Sequence, residues 1–178
     1  MELSSTGRVI LGLIATKPRS GYDIKAMVDK STRFFWAASY GQIYPELKRL
    51  AEQGLIEGAD ESQGERPRTV YTITSAGREA LSEWMASGEQ AHELRDEALL
   101  KLFFSGQATR AELVGVLETK REEHLDALQR FSEIEPFAAA AADFGPLMVL
   151  RYGMAYNEFA IDWCERALND LNDRKDTD

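Results

Sequence analysis

The chain has 178 residues, 44% hydrophobic and 29% charged, with a formal net charge of -9 and one cysteine. That is room for one good core or two small ones; a lone cysteine excludes an intrachain disulfide, and an acidic chain is repelled at long range by nucleic acid unless its charge is unevenly spread. Cys164 stands far from His92 and His124, so no metal-ligand spacing arises, and no apolar run nears the ~18 residues of a membrane span.

The charge is uneven. Residues 1–50 hold 8 Lys and Arg against 4 Asp and Glu, whereas residues 86–178 hold 10 against 19. The two halves face different partners, and only a docked basic surface of the first half would attract DNA. The run VILGLIA near the start is too short to span a membrane, follows no basic leader and precedes no cleavage-like site. A cytoplasmic protein with no membrane association is expected.

In chain order, the first helix is predicted from about Thr6 to Thr16, with Val9, Ile10, Leu13 and Ile14 on one side and Ser4, Ser5 or Thr6 as N-cap. Ser20 with Asp23 forms a capping box for a second helix filled by Tyr22, Ile24, Met27 and Val28. A short loop, STRFFWAAS, follows. The third helix is YGQIYPELKRLAEQG, whose Ile43, Leu47, Leu50 and Gly54 share a narrow arc, with Gly54 placed as a left-handed C-cap.

The opposite side of that helix carries Gly41, Gln42, Tyr44, Pro45, Lys48, Arg49 and Glu52. Pro45 has no N–H to give the carbonyl of Gly41, and a glycine there lets another surface approach the backbone. A stacking ring, an amide and two cations beside it suit phosphates and base edges. The plainer account of Lys48, Arg49 and Glu52 is a solvated face.

Leu55, Ile56 and Glu57 read as a short strand, and TVYTIT at 69–74 alternates as a second. The polar loop GADESQGERPR joins them into a hairpin and carries Arg66 and Arg68, although Asp60, Glu61 and Glu65 share it. Three helices and a hairpin make a winged helix-turn-helix. Tyr22 and Tyr71 are expected in the core.

The run GYDI at 21–24, then YGQIYPELKRLAEQGLIE, then VYTITSAGREAL resembles the PadR family of bacterial transcriptional regulators. The matching positions are Gly21, Tyr22, Tyr44, Pro45, Leu47, Leu50, Gly54, Leu55, Ile56, Tyr71, Thr74 and Gly77, within about residues 8–80. HELRDEALLKLFFSG at 92–106 further resembles the C-terminal helical domain of the longer PadR subfamily, the type found in AphA.

In the second half, Thr74 caps a helix through Leu81, Trp84 and Met85 that Gly88 interrupts, and residues 91–104 are predicted helical. Thr109-x-x-Glu112 is a capping box opening a polar helix to about Ile134, ending before Pro136. The last helix, from Pro146 to about Asn172, repeats Leu147, Leu150, Met154, Asn157, Ile161, Cys164, Leu168 and Leu171 at three- and four-residue steps. A second stripe holds Tyr152, Tyr156, Phe159 and Trp163, and Gly153, Ala160 and Ala167 form a line of small residues. A helix apolar on two sides must bury both, one on its own subunit and the other against a second copy. The a/d seam residues are candidates for the dimer contact, which of the two apolar faces meets the second copy being open; Asn157 in the seam could fix register, and Cys164 is expected as a buried small hydrophobe. His124 is expected to be solvated.

The expected architecture is therefore mainly α with a small β-hairpin: a winged helix-turn-helix over residues 1–86 and an α-helical dimerisation domain over 87–178. The expected function is a homodimeric DNA-binding regulator reading an inverted repeat, and the resemblance implies a repressor. Candidate contacts to double-stranded DNA are Tyr40, Gln42, Tyr44, Lys48, Arg49, Arg66 and Arg68. Trp84, Phe103, Tyr152, Tyr156, Phe159 and Trp163 are candidate lining for a small aromatic or apolar effector, with packing the plainer account. No catalytic constellation, metal site or cofactor is expected. The alternative is a winged-helix module that binds another protein and never a duplex.

Overall fold

The structure is a computed structural model that describes residues 3–32, 39–61, 68–88, 95–141 and 144–173. It divides into two compact units, residues 1–91 and 92–178, later than the expected break after residue 86.

The first unit opens with α1 (Ser5–Thr16), capped by the Ser4 side chain, which accepts from the N–H of Gly7. β1 (Arg19–Ser20) leads into α2 (Gly21–Lys30), closed at its start by the Ser20–Asp23 capping box. α3 (Tyr40–Glu52) follows, then β2 (Ile56–Glu61), β3 (Arg68–Ile73) and α4 (Ser75–Ala86). Ile10, Leu11, Ile14, Ile24, Val28, Ile43, Leu47, Leu50 and Ile56 form one buried core, against which Tyr71, Ile73, Leu81 and Trp84 pack. These are the apolar stripes of each helix, turned inward as their helical spacing dictates.

Two local devices set the hairpin beside α3. Gly54 takes φ 70°, a left-handed turn that lets the N–H of Leu55 reach back to Leu50 O at 2.9 Å. Thr74 then ties the return strand to that turn: its hydroxyl donates to Gly54 O at 2.8 Å and accepts from the N–H of Gly77 at 3.0 Å, capping α4.

The sheet has three strands rather than the two of the predicted hairpin, in the order β1-β3-β2 and antiparallel throughout. β1 is two residues long, too short to leave a periodic signal. The ladder of β2 and β3 also runs further than predicted, pairing Glu61 with Arg68, so Asp60, Glu61 and Arg68 belong to strands. Tyr71 packs on the core as expected. Tyr22 does not: it is 67% exposed, because it lies about 100° around α2 from the buried Gly21.

In the second unit, α5 spans Glu97–Phe103, a three-residue 3-10 turn covers Ser105–Gln107, and two long helices follow, α6 (Arg110–Ala140) and α7 (Phe144–Asp173). Within the described residues, the helix predicted over 91–104 is present as α5 from Glu97. Asp96 is its N-cap, accepting from the N–H of Leu99 at 3.0 Å, and is itself paired with the buried Lys120 of α6; residues 89–94 lie outside the described part.

α6 opens on the Thr109–Glu112 capping box but continues through Pro136 to Ala140, against the predicted end near Ile134. A proline removes one backbone bond. The helix is held across that point by Arg151 of α7, which donates to Glu135 Oε1 at 2.8 and 3.1 Å, and it continues into alanines, the best helix formers. The cross-contacts Arg110–Asn172, His124–Asn157 and Glu135–Arg151 descend along α7 as they ascend α6, so the two helices pack antiparallel.

Candidate nucleic-acid interface

Ser39 and Gln42 close the start of α3 as a capping box, in which the Ser39 N–H and hydroxyl donate to Gln42 Oε1 at 2.9 and 3.2 Å. The side-chain carbonyl of Gln42 is thereby engaged, and its NH2 group is what it offers outward. On the side toward α2, the Tyr40 and Tyr44 rings lie nearly parallel, 6.1 Å apart, and Lys25 Nζ sits 5.4 Å from the Tyr40 ring centre. The Tyr44 ring lies against Gly21, where an added Cβ would come within 2.8 Å of Cε1. Tyr40, Gln42, Tyr44, Pro45 and Lys48 are all exposed, and among the described residues Gly41 has only Ser39 Oγ nearby, so these leave the outer face of α3 open.

On the side toward α1, Arg49 donates from Nε and Nη2 to Glu46 at 2.9 and 2.5 Å, and Ser4 Oγ donates to Glu46 Oε1 at 2.5 Å. Burial pushes the Glu46 carboxyl up, but the hydrogen bonds from Arg49 and Ser4 outweigh it and hold the group below its ordinary range. Arg49 in turn is raised, first by the hydrogen bond to Glu46. Lys48 lies 3.8 Å from Glu52, both widely exposed, a pairing that surrounding water weakens.

Arg68 opens β3 and pairs with Asp23 of α2. Arg66 lies outside the described residues. Sequence reasoning passed over Glu46 and Lys25. The i,i+3 spacing of Glu46 and Arg49 is a legible ion-pair signal; the reach of Lys25 across to Tyr40 is not, since it joins separate helices.

On α7, Gly153, Asn157, Ala160 and Cys164 face α6. An added Cβ at Gly153 would come within 2.8 Å of Phe131, and the Asn157 side chain bonds His124 Nδ1 at 2.7 Å and donates to Gly153 O at 2.6 Å. Asn157 thus joins two helices of one chain, where the sequence points to a register contact between copies. His124 is half-buried rather than solvated, with its ring edge-on to Tyr156 at 5.7 Å. Cys164 is fully buried, and burial pushes its thiol up. Leu147, Leu150, Met154, Ile161 and Leu168 are half-buried on one flank of this line.

The other flank stays open: Tyr152 is 71% and Phe159 59% exposed, Tyr156 is exposed beside them, and Trp163 is half-buried. Phe103 of α5 is exposed and edge-on to Phe104, while Trp84 packs on the first unit's core under the Arg8 guanidinium, 5.6 Å from its ring centre. A cleft of about 990 Å³ between α5 and α6 is lined by Asp96, Lys101, Leu113, Val116, Lys120 and His124 among others, and by none of the six candidate effector residues. Among the described residues no group of three or more His, Cys, Asp or Glu could hold a metal ion, and no helix is long and apolar enough to cross a membrane.

Residues 10–83 match the Transcriptional regulator PadR-like family. A negative transcriptional regulator, PadR of Bacillus subtilis, is 32% identical over 169 residues, covering 89% of this chain and 93% of the relative. The chain belongs to the PadR family. Members of the PadR family similar to it are transcriptional regulators, not enzymes. Residues 94–172 match a second family, Virulence activator alpha C-term. The structure of Bacillus subtilis PadR in complex with operator DNA is similar at a TM-score of 0.84 and 28% identity, over 92% of this chain and 96% of that one. The same PadR has been solved with p-coumaric acid, at a TM-score of 0.73 and 26% identity over 97% and 99% of the chains. The Vibrio cholerae virulence activator AphA is similar at a TM-score of 0.73 and 32% identity, over 94% and 98%. This chain of the PadR family is thus a winged helix-turn-helix followed by an AphA-like helical domain.

Proposed function

We propose that the chain is a DNA-binding transcriptional repressor that acts as a homodimer on an inverted-repeat operator in the cytoplasm. The observation that carries this reading is the open outer face of α3, where Tyr40, Gln42, Tyr44 and Lys48 stand exposed around a smooth Gly41–Pro45 surface beside the hairpin. A helix bare at its centre and polar at its edges can lie close in a major groove, with Gln42 and Tyr44 toward bases or sugar and Lys48 and Arg49 toward phosphates. Arg66, on the segment joining β2 to β3, would add a flanking contact. The operator complex of the Bacillus subtilis relative supports the same partner.

Two copies are needed because one such helix reads only a few base pairs, and a twofold pair reads half-sites about 34 Å apart. The exposed stripe of Tyr152, Tyr156 and Phe159, continued by Phe144 and Met148, is the apolar surface of α7 that its own chain leaves uncovered. We assign the dimer contact to it. An aromatic or apolar effector bound in the helical unit would shift the spacing of the two reading heads; the p-coumaric acid complex of the relative supports this class of ligand.

One observation favours a protein-binding module instead: Arg49 and Arg68 are each already paired with a carboxylate. Selection of bound duplexes from a random-sequence pool separates the two. An enriched inverted repeat is expected; no enrichment would leave the protein-binding reading standing.

A further inference from the structure

Asp23 does two jobs with one oxygen. Its Oδ2 accepts from the Ser20 N–H at 3.1 Å and the Ser20 hydroxyl at 2.9 Å, closing the cap of α2. The same atom accepts from Arg68 Nη2, on the first residue of β3. Two and three residues further on, Val70 and Tyr71 pair with Ser20 and Arg19 in β1. The hairpin is therefore fastened to the start of α2 twice, by a two-residue strand and by an ion pair.

The fastening matters because, among the described residues, the outer part of β2 does not pack on the core. In β2 only Ile56 is buried, and Glu57 to Glu61 are exposed. α3, by contrast, is seated on the core by Ile43, Leu47 and Leu50. Val70 is buried and Tyr71 and Ile73 pack on the core, so β3 is seated along its inner half, and the Asp23–Arg68 pair holds its outer end, where a duplex must meet hairpin and helix together.

We infer that Asp23 and Arg68 form a tie that sets the hairpin against α2 and α3, so that Arg68 serves DNA binding by positioning and not by contact with phosphate. The inference rests on the DNA-binding reading above. It reverses the sign expected of Asp23: a carboxylate that merely competes with phosphate for Arg68 weakens binding, whereas one that positions the hairpin strengthens it.

The test uses the full chain and the best-bound duplex from a random-sequence pool, titrated over a series of salt concentrations. Asp23→Asn keeps an acceptor for the Ser20 cap but removes the charge; Arg68→Ala leaves the cap untouched and reports even if Asp23→Asn unfolds. Each is expected to weaken binding about threefold to tenfold, and the double variant no further, because the two residues act as one unit. The slope of log affinity against log salt stays at the wild-type value, and Asp23→Glu, which keeps cap and charge, binds like wild type. A slope reduced by about 0.9 in Arg68→Ala marks a phosphate contact and overturns the tie, as do tighter binding by Asp23→Asn, additive effects of the two changes, or unchanged affinity in both. Failure of the wild type to retain any duplex would instead overturn the DNA-binding reading itself.

Discussion

Ser4, which caps α1, and Glu46 on α3 are joined across 42 positions by a 2.5 Å hydrogen bond from the serine hydroxyl to Glu46 Oε1. The same carboxylate holds Arg49 by two bonds, so the start of the chain, the third helix and one candidate phosphate contact move as one piece.

The Glu46 carboxyl has a pH signature. Burial raises it, but the Arg49 and Ser4 hydrogen bonds bring it below the ordinary 4.5. A depressed carboxyl stabilises the fold above its unfolded value, and that contribution disappears as pH falls through the folded value. Glu46→Gln is therefore expected to lower stability by about 1 kcal/mol near neutral pH and by less at an acidic pH below the ordinary 4.5, read by urea unfolding at both. An equal effect at the two pH values would contradict the ionised network.

Thr74 and Gly77 hold α4 to the turn after α3. Thr74→Ala removes a cap and a tie to Gly54 O, and is expected to cost about 1–2 kcal/mol. An added Cβ at Gly77 would lie 2.1 Å from the Leu55 carbonyl oxygen, which is backbone and cannot swing aside; Gly77→Ala should cost about 1–3 kcal/mol. Chemical unfolding of both variants checks this, and neutral results would mean the turn is not a support.

Asn157 is placed to stabilise one chain. Asn157→Ala leaves the buried face of His124 without its partner and is expected to lower stability by about 1–3 kcal/mol while the sedimentation coefficient is unchanged. A shift in the assembly state at native stability would return Asn157 to the contact between copies.

The exposed aromatic flank carries the opposite expectation. Tyr152→Glu with Phe159→Glu places two charges on that surface, both outside the α6 contact. Sedimentation should show monomer with an unchanged circular dichroism spectrum. A dimer that survives both changes rules this face out as the contact.

Most of the first unit was legible because its signals are local. The caps at Ser20 and Thr74, the left-handed Gly54 and the stripe of Ile43, Leu47 and Leu50 are each set within a few residues. What escaped was long-range. β1 exists only because Ser20 finds Val70, and α6 crosses Pro136 because α7 lies beside it. The a/d pattern of α7 correctly marked burial, yet periodicity has no means of naming the partner: Asn157 and Cys164 face α6 of their own chain, with the small Gly153 and Ala160 in the same line. At the candidate interface the outward residues of α3 and the Glu46–Arg49 spacing were readable from helix geometry, whereas the carboxylate restraining Arg68 comes from Asp23 on a separate element and shows only in three dimensions.

In the proposed reading the outer face of α3 meets a phosphate backbone, and Lys48 is the residue to change, since it is exposed and its pairing with Glu52 is loose at 3.8 Å. Titration of the selected duplex over a range of salt should show Lys48→Ala binding more weakly, with the salt slope reduced by about 0.9 for each phosphate that Lys48 neutralises in the wild-type complex. Unchanged affinity and slope would contradict the account.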